Sequence, residues 1–192
     1  MINVFTGYDE KEKVAYNVLS YSILKNSTRP VAITPIYLPN IRDDFVRERL
    51  PKQSTDFAFS RFMIPHLMNY QGWALFMDCD MLMFEDISKL WRMRDDSKAI
   101  QVCKHDYTPK TDTKFLGQVQ TKYPKKNWSS VMLMNCKMFT TLTPDYVNKA
   151  SGLELHQFKW LESEELIGEI PLEWNWLVAV SYTHLTLPTT TP

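Results

Sequence analysis

The sequence lacks several things, and each lack narrows the field. It lacks a charge excess. Lys and Arg number 22, Asp and Glu number 22, and the formal net charge is zero. Proteins that grip nucleic acid usually carry a surplus of Lys and Arg to meet the phosphates, so nucleic acid is not an expected partner. Paired cysteines are also missing. Only Cys79, Cys103 and Cys136 occur, far apart. An odd, scattered set supports neither a disulfide framework nor a CxxC metal site. Each lies in an apolar run, reads as a small buried hydrophobe, and suits a reducing cytosol.

Long apolar runs are absent too. No window holds the ~18 uncharged apolar residues of a membrane span, and Met1–Phe5 lacks the charged and apolar regions of a signal peptide. A cytoplasmic location is therefore expected, with peripheral membrane contact left open. There is no internal repeat. What is present is a globular composition: 192 residues, 44% hydrophobic and 13% aromatic. That excludes a disordered or collagen-like polypeptide and suits one domain.

The pattern along the sequence alternates strand and helix. Ile2–Thr6 reads as a strand, broken by Gly7-Tyr8-Asp9. Asp9 and Glu12 have capping-box spacing, and Ala15, Val18, Leu19, Ser22 and Ile23 share one helical face, so a helix is expected over 10–25. Val31–Leu38 reads as a strand, with Pro35 marking an edge position. Arg42–Lys52 is a charged surface loop or short helix. A helix over Asp56–Met68 carries Phe59, Phe62, Met63, His66 and Leu67, and Pro65 should bend it. Trp73–Phe84 is an apolar run of the kind found in central parallel strands. Ile100–Lys104 and Val131–Cys136 are further strands, and helices are expected at Pro144–Ala150 and from Leu153 to Leu161. The class is α/β. Ser181–Pro192 differs: it holds five Thr, two Pro and no charged residue. The expected division is a domain over 1–178, incomplete at its C-terminus, and an unstructured or artefactual tail over 179–192.

The most informative feature is Asp78-Cys79-Asp80 inside the apolar run. A bare D-x-D is weak, since a protein with 12 Asp yields roughly 0.7 by chance. Its context is stronger. Side chains at i and i+2 of a strand share a face, and two unpaired carboxylates in an apolar segment cost several kcal/mol. A cation at the strand's C-terminal end relieves that cost, and oxygen ligands suit Mg²⁺ or Mn²⁺. A solvated turn between two apolar strands is the plain alternative.

An apolar run ending in D-x-D resembles the GT-A-fold nucleotide-sugar glycosyltransferases, most closely the retaining, family 8-like group. Other segments follow in matching order over residues 1–178. Thr6-Gly7-Tyr8-Asp9 is similar to the group's nucleotide-binding first turn. Ser54–Phe62 resembles the helix whose Arg faces the donor pocket. Asn127–Asn135 is similar to the "N-S-G-V-M-L-x-N" strand, with Ser130 in place of the Gly. Glu162–Ile167 with Pro171 and Trp174-Asn175-Trp176 resembles an acidic D-Q-D helix followed by "L-P-x-x-W-N", with Glu in place of the acidic Asp.

The resemblance implies a GT-A-like, mostly parallel sheet flanked by helices. It implies metal-dependent transfer of a sugar from a nucleotide-diphosphate donor to a glycan, lipid or protein acceptor. Asp78 and Asp80 would hold Mn²⁺ or Mg²⁺. Thr6, Tyr8 and Asp9 would touch base and ribose, Arg61 the diphosphate or the carboxylates, and Asn127, Ser129 and Ser130 the sugar. Glu164 and Glu165 would sit beneath the anomeric carbon as the catalytic pair. Plain readings stand beside these: a strand-end aromatic for Tyr8, a structural ion pair for Arg61, turn chemistry for 127–130, a solvated face for Glu164 and Glu165.

His66 and His156 read as packing residues, and His105 as a loop histidine. Lys122, Lys125 and Lys126 form a basic loop. The third metal ligand of the group, a C-terminal His, has no match, and His184 is not assigned that role. Two other classes compete. One is an Asp-nucleophile phosphohydrolase, disfavoured because the D-x-D falls in the middle of the sequence and is followed by Met81-Leu82. The other is a non-catalytic nucleotide-sugar or glycan-binding module, or an inactive fragment.

Overall fold

The computed structural model describes residues 1–50, 53–105 and 124–177. The tail expected over 179–192 lies outside them, as does Lys122. Six strands form one sheet: β1 (Ile2–Gly7), β2 (Val31–Ile36), β3 (Trp73–Met77), β4 (Ile100–Val102), β5 (Val131–Asn135) and β6 (Ile167–Glu169). Their order is β2-β1-β3-β5-β4-β6. β1 runs parallel to β2 and β3, and β4 parallel to β6. β5 is antiparallel to both of its neighbours, β3 and β4. β3 is central but is therefore not flanked by parallel strands alone. Because β5 reverses, β4 and β6 again point the same way as β3, and the C-terminal ends of five strands share one edge.

The pleat sends alternate residues to opposite faces. Phe76, Met132 and Met134 pack on one face with Phe62, Phe139, Leu155 and Phe158. Leu75, Met77, Val131 and Leu133 pack on the other with Leu19, Ile23, Ile87 and Leu90. The first face is covered by α2 (Phe57–Ser60), α3 (Ile64–Leu67), α5 (Pro144–Lys149) and α6 (Gly152–His156). The second is covered by α1 (Lys13–Asn26) and α4 (Ile87–Arg92). A strand buried on both faces must be largely apolar: β3 is apolar throughout, and β5 is apolar from Val131 to Met134, ahead of the buried Asn135.

Several local features follow the sequence directly. Pro35 lies in β2, an edge strand, where a missing N–H is tolerated. The helix expected over 56–68 breaks into α2, a 3₁₀ turn at Arg61–Met63 and α3, because Pro65 has no N–H to donate and crowds the preceding turn. α6 ends at His156 rather than near Leu161, and Phe158 is left-handed at φ 56. Its start carries a capping box between Ser151 and Glu154.

Three expectations need correction. The Asp9–Glu12 capping box does not form. Asp9 Oδ1 instead accepts from Lys11 N at 3.0 Å, starting a 3₁₀ turn at Glu10–Glu12. The Glu12 carboxylate is drawn away to the Cys79 thiol, whose Sγ donates to Oε2 at 3.0 Å. The acidic segment at 162–167 is no helix: Ser163 caps a short 3₁₀ turn, Glu164–Leu166, that leads into β6. α4 and β6 have no counterpart among the elements expected from sequence.

Candidate active site

The site lies at the edge of the sheet where β1 and β3 end and β5 begins. Thr6 is level with Met77, and Met77 with Val131. Asp78 follows Met77, and its N–H donates to the Ser130 carbonyl at 2.9 Å, adding one rung beyond the ladder. That bond fixes the direction of the Asp78 side chain. Asp80, two residues on, is exposed. Strand and turn thus carry the carboxylates to the sheet's rim, where solvent or a ligand can reach them.

Asp78 is strongly constrained. Its side chain is 19% exposed and pairs with Arg61, Nη1 to Oδ1, at 2.8 Å. Burial pushes its carboxyl up to about 6; Arg61 and a Ser130 side-chain hydrogen bond oppose that, while Asp80 adds to it. Arg61 is itself buried, with Nη1 donating to Ser129 O at 2.8 Å and Nε to Phe57 O at 3.2 Å. Its guanidinium also lies over the rings of Phe76 and Phe57. A guanidinium in an apolar cage needs an anion, and Asp78 supplies it.

The expected donor residues divide into two groups. Tyr8, Asn127 and Ser130 are half-buried and open toward the rim. The Tyr8 ring stands edge-on between Tyr16 and Tyr37, each at 5.2 Å, so three tyrosines form a wall beside the end of β1. Asn127 is left-handed at φ 67; its carbonyl accepts from Ser130 N at 3.2 Å and from the Asn175 amide at 3.2 Å.

Thr6, Asp9 and Ser129 are built into the scaffold instead. Thr6 is fully enclosed, so contact with a base or ribose is closed to it here. Asp9 is buried, and its oxygens accept from Lys11 N and from Asp56 N, the latter at 3.1 Å. It pins the first turn to the start of α2. Ser129 is buried between Arg61 and His156, its Oγ 2.7 Å from His156 Nδ1.

Glu164 and Glu165 are not brought to the carboxylate pair. Their turn enters β6 at its N-terminal end, and Ile167 pairs with Ile100 at the start of β4. The Glu165 carbonyl accepts from Lys98 Nζ at 2.8 Å, before β4 begins. β6 is parallel to β4, and β4 to β3, so this turn belongs to the opposite end of the sheet from Asp78. The Glu164 carboxylate is instead paired with Lys125. The resemblance to a D-Q-D helix places them at the site; here they lie instead in a 3₁₀ turn that leads into β6.

Four residues matter more than their sequence context indicates. His156 holds Ser129. Asn175, buried, holds the Asn127 turn. Glu12 reaches Cys79, between the two Asp. The His105 carbonyl receives the Trp128 indole N–H at 3.1 Å. Only Asn175 has a usable signal, its place in Trp174-Asn175-Trp176. Among the described residues, no third His, Cys, Asp or Glu joins Asp78 and Asp80 in a cluster able to hold a metal. The donor set is two hard carboxylates. Asp78 Oδ1 is buried and, apart from the Arg61 ion pair, has no hydrogen-bond partner. That set fits Mg²⁺ or Mn²⁺, ions bound by one or two carboxylates plus substrate phosphates.

Comparison with known proteins bears on this arrangement. The family model for glycosyl transferase family 8 matches residues 10–143. The chain belongs to glycosyl transferase family 8. Protein CDI of Arabidopsis thaliana is 50% identical over 193 residues, covering 98% of this chain and 74% of that protein. Among solved structures, the WbbM bifunctional glycosyltransferase superposes with a TM-score of 0.63 at 14% identity, over 90% of this chain and 39% of that one. The galactosyltransferase LgtC, in complex with donor and acceptor sugar analogs, superposes with a TM-score of 0.62 at 11% identity, over 100% of this chain and 81% of that one. This family 8 chain thus spans less than half of WbbM and about three quarters of CDI. Identities this low establish the fold, which is GT-A. The family is one of glycosyltransferases. Among the described residues, no helix is long and apolar enough to cross a membrane.

Proposed function

We propose that this family 8 protein binds a nucleotide-diphosphate sugar through a divalent cation at Asp78 and Asp80, and transfers the sugar to a glycan, lipid or protein acceptor. The observation that carries the reading is the carboxylate pair on the rim. Asp80 is exposed and forms no ion pair among the described residues; Asp78 is fixed by Arg61 and Ser130. Two like charges there repel, and a cation offsets that repulsion.

Bound Mn²⁺ or Mg²⁺ would supply Lewis-acid stabilisation of charge on the leaving diphosphate. The protein's own residues do the rest. Asp78 is oriented before any ligand arrives, because its backbone is tied to Ser130 and its side chain to Arg61. Arg61 offsets part of the carboxylate charge. Tyr8, with Tyr16 and Tyr37 behind it, offers an aromatic face for a base. Asn127 and Ser130 present polar groups where a sugar would lie. Glu164 and Glu165 keep no part in this arrangement. The cytoplasm is the proposed location, on the strength of three buried free cysteines.

Calorimetric titration with a nucleoside diphosphate tests the reading. Binding is expected with Mn²⁺ or Mg²⁺ and not in EDTA, and Asp80→Ala is expected to abolish it. Metal-independent binding, or an unaffected variant, overturns the site.

A further inference from the structure

We infer that His156 is a positioning residue for the carboxylate pair: it bolts α2 to the Ser129 turn and so holds Arg61 against Asp78. The inference rests on the metal-site reading above and deepens it. Arg61 spans two segments, α2 through the Phe57 carbonyl and the turn before β5 through the Ser129 carbonyl. His156, on a third element, α6, spans the same two. Its Nδ1 lies 2.7 Å from Ser129 Oγ, and its ring lies against Phe59 of α2.

A neutral imidazole has one donor and one acceptor nitrogen, and the Ser129 hydroxyl can meet either, so the bond to Nδ1 forms in both tautomers. The ring is held edge-on to Phe62 at 5.2 Å and tilted against Phe59 at 5.9 Å, which leaves it little freedom to swing away.

The consequence runs through Ser129. Its carbonyl is the acceptor that aims Arg61 Nη1, and the same Nη1 meets Asp78 Oδ1. Apart from Arg61, the 127–130 turn is held by Asn175 on Asn127 and by the Asp78 N–H on Ser130. Neither holds α2. His156 alone among these ties the turn to the element on which Arg61 is rooted. Loss of that tie lets the Arg61 anchor and its target separate, and Asp78 loses its set orientation. Partners that orient a metal's carboxylate ligand typically change metal affinity by ~10–100-fold when removed.

Electron paramagnetic resonance of Mn²⁺ alone, titrated with the protein, tests this without any substrate. Three variants are needed: Ser129→Ala, His156→Leu and His156→Asn, the last keeping a polar group near the Nδ1 position. Circular dichroism checks folding, and Ser129→Ala is small enough to keep the test open if His156→Leu does not fold. Mn²⁺ affinity is expected to drop about tenfold in Ser129→Ala and His156→Leu, and to recover to within about threefold in His156→Asn. Wild-type affinity in Ser129→Ala overturns the positioning role alone. Equal weakness in His156→Asn and His156→Leu also overturns it, because packing rather than hydrogen bonding would then be at work. Failure of the wild-type protein to bind Mn²⁺ overturns the metal assignment and the positioning role with it.

Discussion

Arg61 Nη1 lies 2.8 Å from Asp78 Oδ1, and the two carboxylates of the D-x-D are thereby made unequal. Asp78 is held in an ion pair and mostly buried. Asp80 stands in solvent. One carboxylate belongs to the scaffold as well as to the site, and the other belongs to the site alone.

The two Asp should therefore respond differently to substitution. Asp80→Ala removes a repulsive neighbour and, among the described residues, no ion pair, so folding stability should change by less than about 0.5 kcal/mol. Asp78→Ala leaves a buried guanidinium without its anion. Breaking a buried pair costs ~3–5 kcal/mol, and the 19% exposure of Asp78 lowers that to about 2 kcal/mol. Urea denaturation of both variants checks this. Equal stabilities would mean that the Arg61 pair contributes nothing to the fold.

Glu164 and Glu165 make a contrasting case. Both are exposed, and their turn opens β6 at the far end of the sheet from Asp78. Glu164→Gln and Glu165→Gln should leave metal-dependent nucleotide binding within about twofold of wild type. The Lys125 pair is at the surface on the Glu164 side, 75% exposed, and such pairs contribute about 0–1 kcal/mol. A tenfold loss of nucleotide binding in either variant would return these residues to the site.

Much of this architecture is legible without coordinates, and the reasons are local. Pro35 marks an edge and Pro65 breaks a helix wherever they occur, because a missing N–H acts within one turn. The β3 run reads as buried on both faces because no polar residue interrupts Trp73–Met77. Asp78 and Asp80 stand out because carboxylates are costly in such a run. What is not legible is relational. Nothing in Val131–Asn135 announces that β5 runs antiparallel, since a strand buried on both faces looks the same in either direction. Thr6, Asp9 and Ser129 have the right residue types for ligand contact, yet the fold consumes them internally. His156 gives the sequence signal of a packing histidine, and it does pack; its partner Ser129 is 27 residues away.

Gly7 offers a test of close packing at the end of β1. A Cβ there would meet the Phe57 ring at 2.4 to 2.5 Å. Phe57 is buried and lies beneath the Arg61 guanidinium, so it has nowhere to retreat without moving Arg61. Gly7→Ala should destabilise the protein by about 1–3 kcal/mol, the usual cost of overpacking. Phe57→Leu in the same protein should restore part of the loss. A Gly7→Ala protein as stable as wild type in thermal melts would show that the Phe57 ring yields at the first turn without cost.

Acid should weaken the fold through His156. Burial, with the Arg61 charge second, pushes its imidazole down to about 3, from an ordinary 6.5. Between those values the unfolded protein binds a proton that the folded protein refuses. Stability from this group is full above about pH 6.5 and is lost progressively toward pH 3. Asp78 works in the opposite sense, because its folded carboxyl holds a proton up to about 6 where an unfolded one releases it near 3.8. Comparison with His156→Asn isolates the histidine, since Asp78 is common to both proteins. From pH 7 to pH 4.5 the wild type should lose about 2 kcal/mol more than the variant, a figure kept below the full two-unit value because the ring retains a rim of exposure. Urea titrations at the two pH values measure the difference. Parallel losses would mean that the folded protein accepts a charged His156 beside Arg61, which an apolar pocket holding one buried cation should not allow.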